Sequence, residues 1–440
     1  MLSLRGTGIP ACVVVFLRVR RASAVKYPVS YCSRCPQLWP PKENRKLKRM
    51  YRIWILLLVL CGSLPAATTL VLPFFNHSNS ANLDWIGESI AESVRDSLAS
   101  EGLLVLDRDD RLEGYRRLSL RPGAELTHAS VIKIGEGLDA ANVIYGFYEL
   151  LPAPDGNPQT KGALRITARI IDLKHTRQAA PLIELGALED LARLEAHLGW
   201  QALESLKGKA APSEQEFLKA RPPVRIDAVE NYVRGLLATS PEQQHHFFTQ
   251  AARLDEHYSQ PCFRLGKAYW EKDDYKSAAG WLERVARTDP HYLEAQFFLG
   301  LSKYYNGDFA GAEQAFELVA AEVPLNEVLN DLGAAEARRN NTAGAIANFK
   351  KALEGDNSDP DYHFNLGYTL WRAGQYEAAV ESFREVVARD QGDAEATTLL
   401  GRSLKLDGPR PGDPKTEARE RLKTNYDEAA YRQLQAELAK

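Results

Sequence analysis

Cysteine and methionine are scarce in this chain. Its 440 residues include five cysteines and two methionines, and Cys262 is the only cysteine after residue 67. A single cysteine forms no intramolecular disulfide, which excludes the disulfide-rich class of small secreted domains. Cys32 and Cys35 form a lone C-x-x-C pair without the second ligand pair of a structural zinc site. An exported form would therefore depend on a large hydrophobic core for its stability.

The compact motifs of nucleotide binding and hydrolysis are also missing from the sequence. "GEGLDA", Gly135 to Ala140, fits a loose dinucleotide pattern, but a helix is predicted before it and a strand after it, the reverse of the fingerprint. His245 and His246 are predicted to lie at a solvated helix start, beside Phe247 and Phe248. Cys262 is predicted to pack as a buried thiol. We therefore predict no cofactor and no metal.

Three aspartates stand close together after a predicted strand. Asp107, Asp109 and Asp110 could hold a cation or transfer protons, although a solvated loop explains the same cluster. A metal-dependent hydrolase centred on Asp107–Asp110 is therefore the enzymatic alternative. It predicts that a metal stabilises the protein and that Asp109→Ala abolishes the effect.

Charge is distributed unevenly along the chain. Residues 1–67 hold 12 of the 55 Lys and Arg and one of the 58 Asp and Glu, so the remainder has a formal net charge of −14. Binding to nucleic acid needs a basic surface. The acidic body therefore predicts no nucleic-acid partner.

Residues 50–67 have the layout of a secretory signal peptide. Met50 and Arg52 precede an apolar run over residues 53–60, and Ala66 and Ala67 offer a small-residue cleavage site. We predict that Met50 is the true start, that residues 1–49 are a doubtful basic leader, and that the product is periplasmic or in the cell envelope. The alternatives are membrane association through an uncleaved 53–60 anchor, and lipidation at Cys61, which lacks the small preceding residue of a lipoprotein box.

A unit of about 34 residues recurs in the second half of the chain. Leu-Gly pairs mark it at nearly constant spacing, and their glycines are Gly266, Gly300, Gly333, Gly367 and Gly401. After the first four glycines, an alanine follows twelve positions later and a Leu or Phe four positions beyond that. Small residues let two helices approach and large ones fill the space beside them, which predicts stacked helical hairpins.

This pattern closely resembles the tetratricopeptide repeat (TPR) family over residues 227–406. The resemblance implies an all-α superhelical solenoid of about five repeats with a final cap helix. "LDGPRPGDPK" then breaks the pattern. Within residues 407–440, the segment Thr416–Lys440 is rich in Ala, Leu, Glu and Lys, and it is predicted to form a helix that caps the open end.

The resemblance also implies a binding groove lined by set positions of each first helix. Those positions hold Phe263, Lys267, Trp270, Phe297, Tyr304, Asn330, Arg338, Phe364, Tyr368, Trp371, Arg372 and Arg402. Aromatic and arginine side chains are frequent anchors of protein partners, and packing between repeats is the alternative for each phenylalanine. The expected ligand is a partly apolar peptide or helix of another protein.

Residues 69–206 alternate strand-like and helix-like segments, which predicts a small α/β sandwich. "TTLVLPFFN", "GLLVLDR" and "NVIYGFYELL" are predicted strands, and "ALRITARIIDL" is predicted to begin a hairpin. The predicted helices are "LDWIGESIAESVRDSLAS", "ASVIKIGEGLDA" and "GALEDLARLEAHLGWQALESL". Residues 207–226, charged and containing proline, are predicted to be a linker.

This first domain resembles the amino-terminal domain of TolB and the related curli-secretion-type lipoprotein domain. The matching segments are "VLPFFNHS", "WIGESIAESV", "LLVLDR", "ANVIYGFYE" and "RITARIIDL". The resemblance implies an envelope domain that makes protein contacts and carries no catalytic group. The whole chain is therefore predicted to be a non-enzymatic protein-interaction scaffold of the bacterial cell envelope. A cytosolic TPR assembly adaptor, in which residues 53–60 are a buried segment, is the alternative outside catalysis.

Overall fold

The computed structural model describes residues 67–78, 80–121, 123–152, 162–410, 418–426 and 430. All of them belong to one compact unit. The predicted leader and the apolar run 53–60 lie outside the described residues. Within the described ranges, no helix is both long enough and apolar enough to span a bilayer.

The amino-terminal region is built on one sheet of six strands. The strands are β1 (Thr69–Val71), β2 (Phe75–Asn76), β3 (Asn142–Leu151), β4 (Ala163–Asp172), β5 (Arg177–Gln178) and β6 (Leu182–Ala187). Strands β3 and β4 form a ten-residue antiparallel pair in its centre. Strands β1 and β2 run parallel to β3, and β5 and β6 pair antiparallel with β4. The predicted α/β domain is confirmed in this region.

Helices cover both faces of this sheet. They are α1 (Trp85–Ala99), α2 (Arg108–Arg117), α3 (His128–Gly137) and α4 (Leu191–Lys207). Successive strand residues point to opposite faces, so Val71 belongs to the core shared with α1 and α4. Its neighbours Leu70 and Leu72 belong to the core shared with α3. Since α3 ends at Gly137 and β3 follows, the "GEGLDA" segment spans a helix end, in the order predicted.

Two predictions after α1 are wrong. The expected strand "GLLVLDR" is reduced to an isolated bridge between Thr69 and Val105, and the expected loop at Asp107–Asp110 begins helix α2. The Asp107 carboxylate accepts a hydrogen bond from the Asp110 backbone N–H at 2.8 Å, and the Asp110 carboxylate accepts one from the Asp107 N–H at 3.2 Å. This reciprocal cap satisfies N–H groups that the first helical turn leaves free.

The predicted linker is packed against the rest of the protein. It contains a short helix, α5 (Glu214–Lys219), whose Phe217 is fully buried in the main core. Its Arg221 guanidinium lies 3.7 Å from the centre of the Phe217 ring. The segment therefore joins the two regions through shared hydrophobic core.

The described residues from 226 to 404 form a stack of antiparallel helical hairpins, as predicted. The helices are α6 (Ile226–Leu237), α7 (Pro241–Leu254), α8 (Ser259–Trp270), α9 (Tyr275–Leu282), α10 (Tyr292–Tyr305), α11 (Phe309–Glu322), α12 (Asn326–Arg338), α13 (Thr342–Gly355), α14 (Pro360–Arg372), α15 (Tyr376–Arg389) and α16 (Ala394–Leu404). They form five hairpins followed by the single helix α16.

Close helix approach at glycine explains the repeat signature. A Cβ atom added to Gly300 would lie 2.6 Å from the ring of Phe316 on the second helix of its hairpin. The same atom on Gly333 would lie 2.9 Å from Phe349. These distances are shorter than carbon–carbon contact, so the register depends on glycine facing a large residue.

The predicted capping helix is wrong over the part of it that the structure describes. Residues 418–426, called here the tail segment, have no helix or strand hydrogen bonding. Side chains of the repeats bind backbone groups of this segment, which replaces the internal bonding of a helix. The remainder of the predicted helix lies outside the described residues, except for residue 430.

Candidate functional site

The tail segment lies along the first helices of the repeats, where a groove was predicted. Its contacts come from α10, α12, α14 and the start of α16. Ala418 and Glu420 are buried, while Arg421, Leu422, Lys423 and Tyr426 are half-buried. The groove and its occupant together form the candidate site.

Two asparagines hold the backbone of the tail segment. The Arg421 N–H donates to Asn365 Oδ1 at 2.7 Å, and Asn365 Nδ2 donates to the Arg421 carbonyl at 2.7 Å. Asn330 Nδ2 donates to the same carbonyl at 2.9 Å. The Lys423 N–H donates to Asp331 Oδ1 at 2.9 Å. Since these bonds reach main-chain groups, they hold the tail segment independently of its side chains.

The groove side chains that hold the backbone are themselves buried. Asn330, Asp331 and Asn365 have no exposed surface, and Asn365 Nδ2 also donates to Asn330 Oδ1 at 2.8 Å. Burial raises the pKa of Asp331 well above its ordinary value. Buried polar groups need partners, and the backbone of the tail segment supplies several of them.

A positive zone of the groove binds Glu420. The Glu420 carboxylate lies 2.6 Å from Arg338 Nε and 3.3 Å from Arg372 Nη1, and Tyr304 donates its hydroxyl to it at 3.0 Å. The Glu420 side chain is completely buried. Burial, followed by the charge of Glu420, raises the pKa of Tyr304. A buried carboxylate is favourable only with such partners, so this zone selects an acidic side chain.

A negative zone lies beside it and binds Arg421 and Lys423. Arg421 Nη1 lies 2.6 Å from Asp393 Oδ2, and the guanidinium carbon lies 3.5 Å from the centre of the Phe364 ring. Lys423 Nζ lies 2.7 Å from both Asp359 and Asp361. Ion pairs and the stacking of a cation on an aromatic ring act together here.

Six of the twelve predicted groove residues contact the tail segment. Phe297 lies 5.4 Å from Tyr426 between ring centres. The other five are Tyr304, Asn330, Arg338, Phe364 and Arg372. The structure therefore brings these six together on one surface.

The remaining six predicted residues make contacts within the repeats. Their contacts are Phe263 with His291, Lys267 with Glu294, Trp270 with Phe298, Tyr368 with Trp371, Trp371 with the Asp407 carbonyl, and Arg402 with Trp371. Trp371 is fully buried.

Sequence reasoning missed the acidic side of the groove and one of the two asparagines. The missed residues are Asp331, Asp359, Asp361, Asn365, Asp393 and Glu395. The sequence does contain a signal for the acidic side of the groove. The pair Asp359 and Asp361 recurs one repeat later as Asp393 and Glu395. An acidic pair that repeats with the period of the array marks equivalent positions on successive first helices.

The residues that the sequence offered as candidates for catalysis or metal binding lie at positions that support the fold. Asp107 and Asp110 cap helix α2, and His245 Nε2 lies 2.9 Å from the hydroxyl of Tyr269. Burial raises the pKa of the Cys262 thiol to about 11, which keeps it protonated and unreactive at neutral pH. Among the described residues, no three His, Cys, Asp or Glu side chains are arranged to hold a metal ion.

A second polar site lies between the sheet region and the repeats. A cavity of about 310 Å³ is lined by residues of α1, α4, α6 and α8, including Glu92, Asp96 and Glu195. Arg95 Nη2 lies 3.1 Å from Glu92 and 2.6 Å from Asp96. Burial raises the pKa of Glu195 to about 8. We call Glu92, Arg95, Asp96 and Glu195 the Arg95 cluster.

Comparison with known families agrees with the repeat geometry. The tetratricopeptide repeat model matches four overlapping stretches, residues 263–327, 298–361, 330–394 and 364–404. This part of the chain therefore consists of TPR repeats, which generally serve as protein-interaction scaffolds. A search of curated proteins found no match.

Several solved structures resemble the repeat region. YrrB, described as a TPR protein with an unusual peptide-binding site, is 19% identical over 36% of this chain and 84% of its own, with a TM-score of 0.32. MamA from Desulfovibrio magneticus RS-1, residues 41 to the end, is 22% identical over 38% of this chain and 98% of its own, with a TM-score of 0.34. The family match is the comparison on which the assignment of the repeats rests.

Proposed function

We propose that the protein is a non-enzymatic scaffold of the bacterial cell envelope whose TPR groove binds a peptide segment of a partner protein. The observation that carries this proposal is the tail segment, seated in the groove with its backbone bonded to Asn330, Asp331 and Asn365. The interior of a helix has no free backbone N–H or C=O groups. The groove therefore suits a non-helical peptide better than a helix.

A labelled peptide tests the binding capacity of the groove. The probe is a fluorescein-labelled peptide with the sequence of residues 418–426, ARERLKTNY. The protein is the full chain carrying Glu420→Ala, Arg421→Ala and Lys423→Ala, called here the tail variant, in which the contacts of the chain's own segment are weakened. We expect saturable binding with one peptide per chain, measured by fluorescence anisotropy.

A matched pair of groove substitutions provides the control. Asn330→Ala together with Asn365→Ala, added to the tail variant, removes the side chains that hold the backbone and should weaken binding at least about tenfold. Circular dichroism establishes that this protein remains folded. Binding that fails to saturate, or that is equal in both proteins, would contradict the proposal.

The envelope location rests on the predicted signal segment. The full reading frame is expressed in a Gram-negative host, the cells are fractionated, and the mass of the product is measured. A periplasmic product that begins near Ala67 or Thr68 is expected. An intact chain in the cytosol would contradict it and favour the cytosolic adaptor.

We also propose that the amino-terminal region, which resembles TolB in sequence, makes a second protein contact. Ile183 and Leu185 on strand β6 are 56% and 58% exposed, and apolar side chains on an outer strand favour association. A photoreactive residue at position 183 of the full chain should give a discrete crosslinked product in cells. The same residue at the exposed position Arg116 is the control, and equal crosslinking at both positions would contradict the proposal.

A further inference from the structure

The groove carries its two charge zones in a fixed order along the bound chain. Arg338 and Arg372 meet residue 420, and the four acidic groups of α14 and α16 meet residues 421 and 423. A peptide with these charges in another order would leave buried or half-buried charges without partners. Such mismatches are an effective source of discrimination between ligands.

The backbone bonds determine which residue meets which zone. Asn365 bonds both the N–H and the carbonyl of residue 421, and Asp331 accepts from the N–H of residue 423. A peptide that slipped by one residue would keep the backbone bonds but present the wrong side chains. The groove therefore favours a ligand with an acidic residue, an arginine directly after it and a lysine two positions after the arginine.

The tail segment is bound through many polar groups and a small apolar contact, in which Ala418 belongs to the main core and Leu422 and Tyr426 pack against it. Its most buried side chains are Ala418 and Glu420, whereas Leu422 and Tyr426 are only half-buried. When a segment leaves its site, water replaces its hydrogen-bond partners, and the net free-energy cost is small compared with that of exposing buried apolar surface. A segment bound in this way can leave its site without unfolding the repeats.

We propose that the partner's groove-binding segment carries the series acidic residue, Arg, any residue, Lys, and that it binds by displacing the chain's own residues 418–426. The proposal rests on the proposed peptide-binding function and adds the chemistry of the ligand and its competitor. The chain's own tail segment carries the same series, formed by Glu420, Arg421 and Lys423.

Attachment to the same chain makes the tail segment an effective competitor. Seven residues separate Arg410 from Ala418 in the sequence, and covalent attachment over so short a distance gives effective concentrations on the order of millimolar. A free peptide that binds the open groove with a dissociation constant in the micromolar range would then appear about 10²- to 10³-fold weaker on the intact chain.

Two comparisons with labelled peptides test the proposal. On the tail variant, ARERLKTNY is compared with ARRELKTNY, which has the same composition and net charge but exchanges the residues equivalent to Glu420 and Arg421. We expect the exchanged peptide to bind at least about tenfold more weakly. The original peptide should also bind the unmodified chain at least about tenfold more weakly than it binds the tail variant.

The outcomes separate this proposal from the proposed function. If both peptides bind the tail variant equally, the groove binds peptides but the charge series is overturned. If the unmodified chain binds as tightly as the tail variant, displacement is overturned. If neither peptide binds the tail variant although it is folded, the proposed function itself fails.

Light scattering identifies the chain that supplies the tail segment. A monomeric mass for both the unmodified chain and the tail variant is expected if each chain occupies its own groove. A dimer of the unmodified chain that is lost in the tail variant would show that a second copy donates the segment. That result would overturn displacement within one chain.

Discussion

Two buried polar sites in this protein use the same chemistry in different surroundings. In the groove, the buried Asn330 and Asn365 bond the backbone of the tail segment, and the buried Glu420 of that segment pairs with Arg338 of the repeats; one buried oxygen of Asp331 has no hydrogen-bond partner among the described residues. In the Arg95 cluster, a carboxyl oxygen of the equally buried Glu195 has no hydrogen-bond partner among the described residues. The first site lies under a segment that can leave, and the second lies between packed helices.

This difference determines how each site responds when a partner is removed. If a groove contact is lost, the tail segment can move into water, and the free-energy cost cannot exceed the free energy of docking that segment. The Arg95 cluster lines a cavity between α1, α4 and the repeats, and its side chains belong to packed helices that cannot leave for bulk water as the tail segment can. We therefore expect large effects on global stability in the cluster and mainly local effects in the groove.

The largest effect is expected for Arg95→Met. The substitution keeps most of the side-chain volume but removes the cation that lies 3.1 Å from Glu92 and 2.6 Å from Asp96, although Glu92 keeps Arg111 at 3.5 Å. Removing one partner of a buried ion pair costs about 3–5 kcal/mol. The measurement is the free energy of unfolding from urea denaturation at pH 7.

Arg116→Met is the matched control for this substitution. Arg116 also bonds a carboxylate, that of Glu113, but its side chain is 75% exposed. Exposed ion pairs contribute little, so the denaturation midpoint should not move measurably. Similar losses in the two variants would show that burial does not set the energetics of the cluster.

The second prediction concerns Glu195→Gln, which should change how the free energy of unfolding depends on pH. Burial raises the folded-state pKa of Glu195 to about 8 from 4.5. Between these values the folded protein binds more protons than the unfolded chain, so stability falls as pH rises from about 4.5 to about 8. Glutamine resembles the protonated acid and removes this dependence.

The expected outcome is a pH-dependent gain in stability of the Glu195→Gln variant. At pH 5 the two proteins should unfold alike, and at pH 9 the variant should be more stable by up to about 5 kcal/mol. Thermal unfolding at four pH values between 5 and 9 measures the difference. A variant that is equally destabilised at every pH would mean that Glu195 is ionised and has a partner.

The smallest effect on global stability is expected for Asn365→Ala. The side chain bonds the backbone of Arg421 twice, and its removal favours release of the tail segment into water. The free energy of unfolding should fall by about 1–3 kcal/mol at most. Cleavage by trypsin at Arg419, Arg421 or Lys423 should become at least about tenfold faster. Unchanged cleavage together with strong destabilisation would place Asn365 in the core of the repeats instead.

Short-range patterns made the repeats predictable. The Leu-Gly period located the hairpins because the glycine of each two-helix unit faces a large residue of its own hairpin, as Gly300 faces Phe316. The TPR resemblance, aligned on the same period, implied six groove residues that contact the tail segment. In the sheet region, β3 and β4 followed from their apolar patterns, while the start of α2 depended on a reciprocal Asp107–Asp110 cap that the sequence also contains.

The occupant of the groove could not be predicted in the same way. Its composition favours a helix, and its bonding partners Asn330 and Asn365 lie 91 and 56 residues away along the chain. No local pattern reports on hydrogen bonds between such distant side chains and backbone groups. Asn365 also occupies a first-helix position outside those that the TPR resemblance assigns to the groove.

The repeated acidic pair has a consequence for the length of a ligand. Arg421 meets Asp393 and Lys423 meets Asp359, and these two aspartates lie one repeat apart in the sequence. Arg421 also lies 3.5 Å from Asp361, which lies 2.7 Å from Lys423, so the acidic pairs of successive repeats form one continuous zone that the bound chain crosses in the opposite direction. A further hairpin with the same acidic pair would extend this zone along a longer ligand.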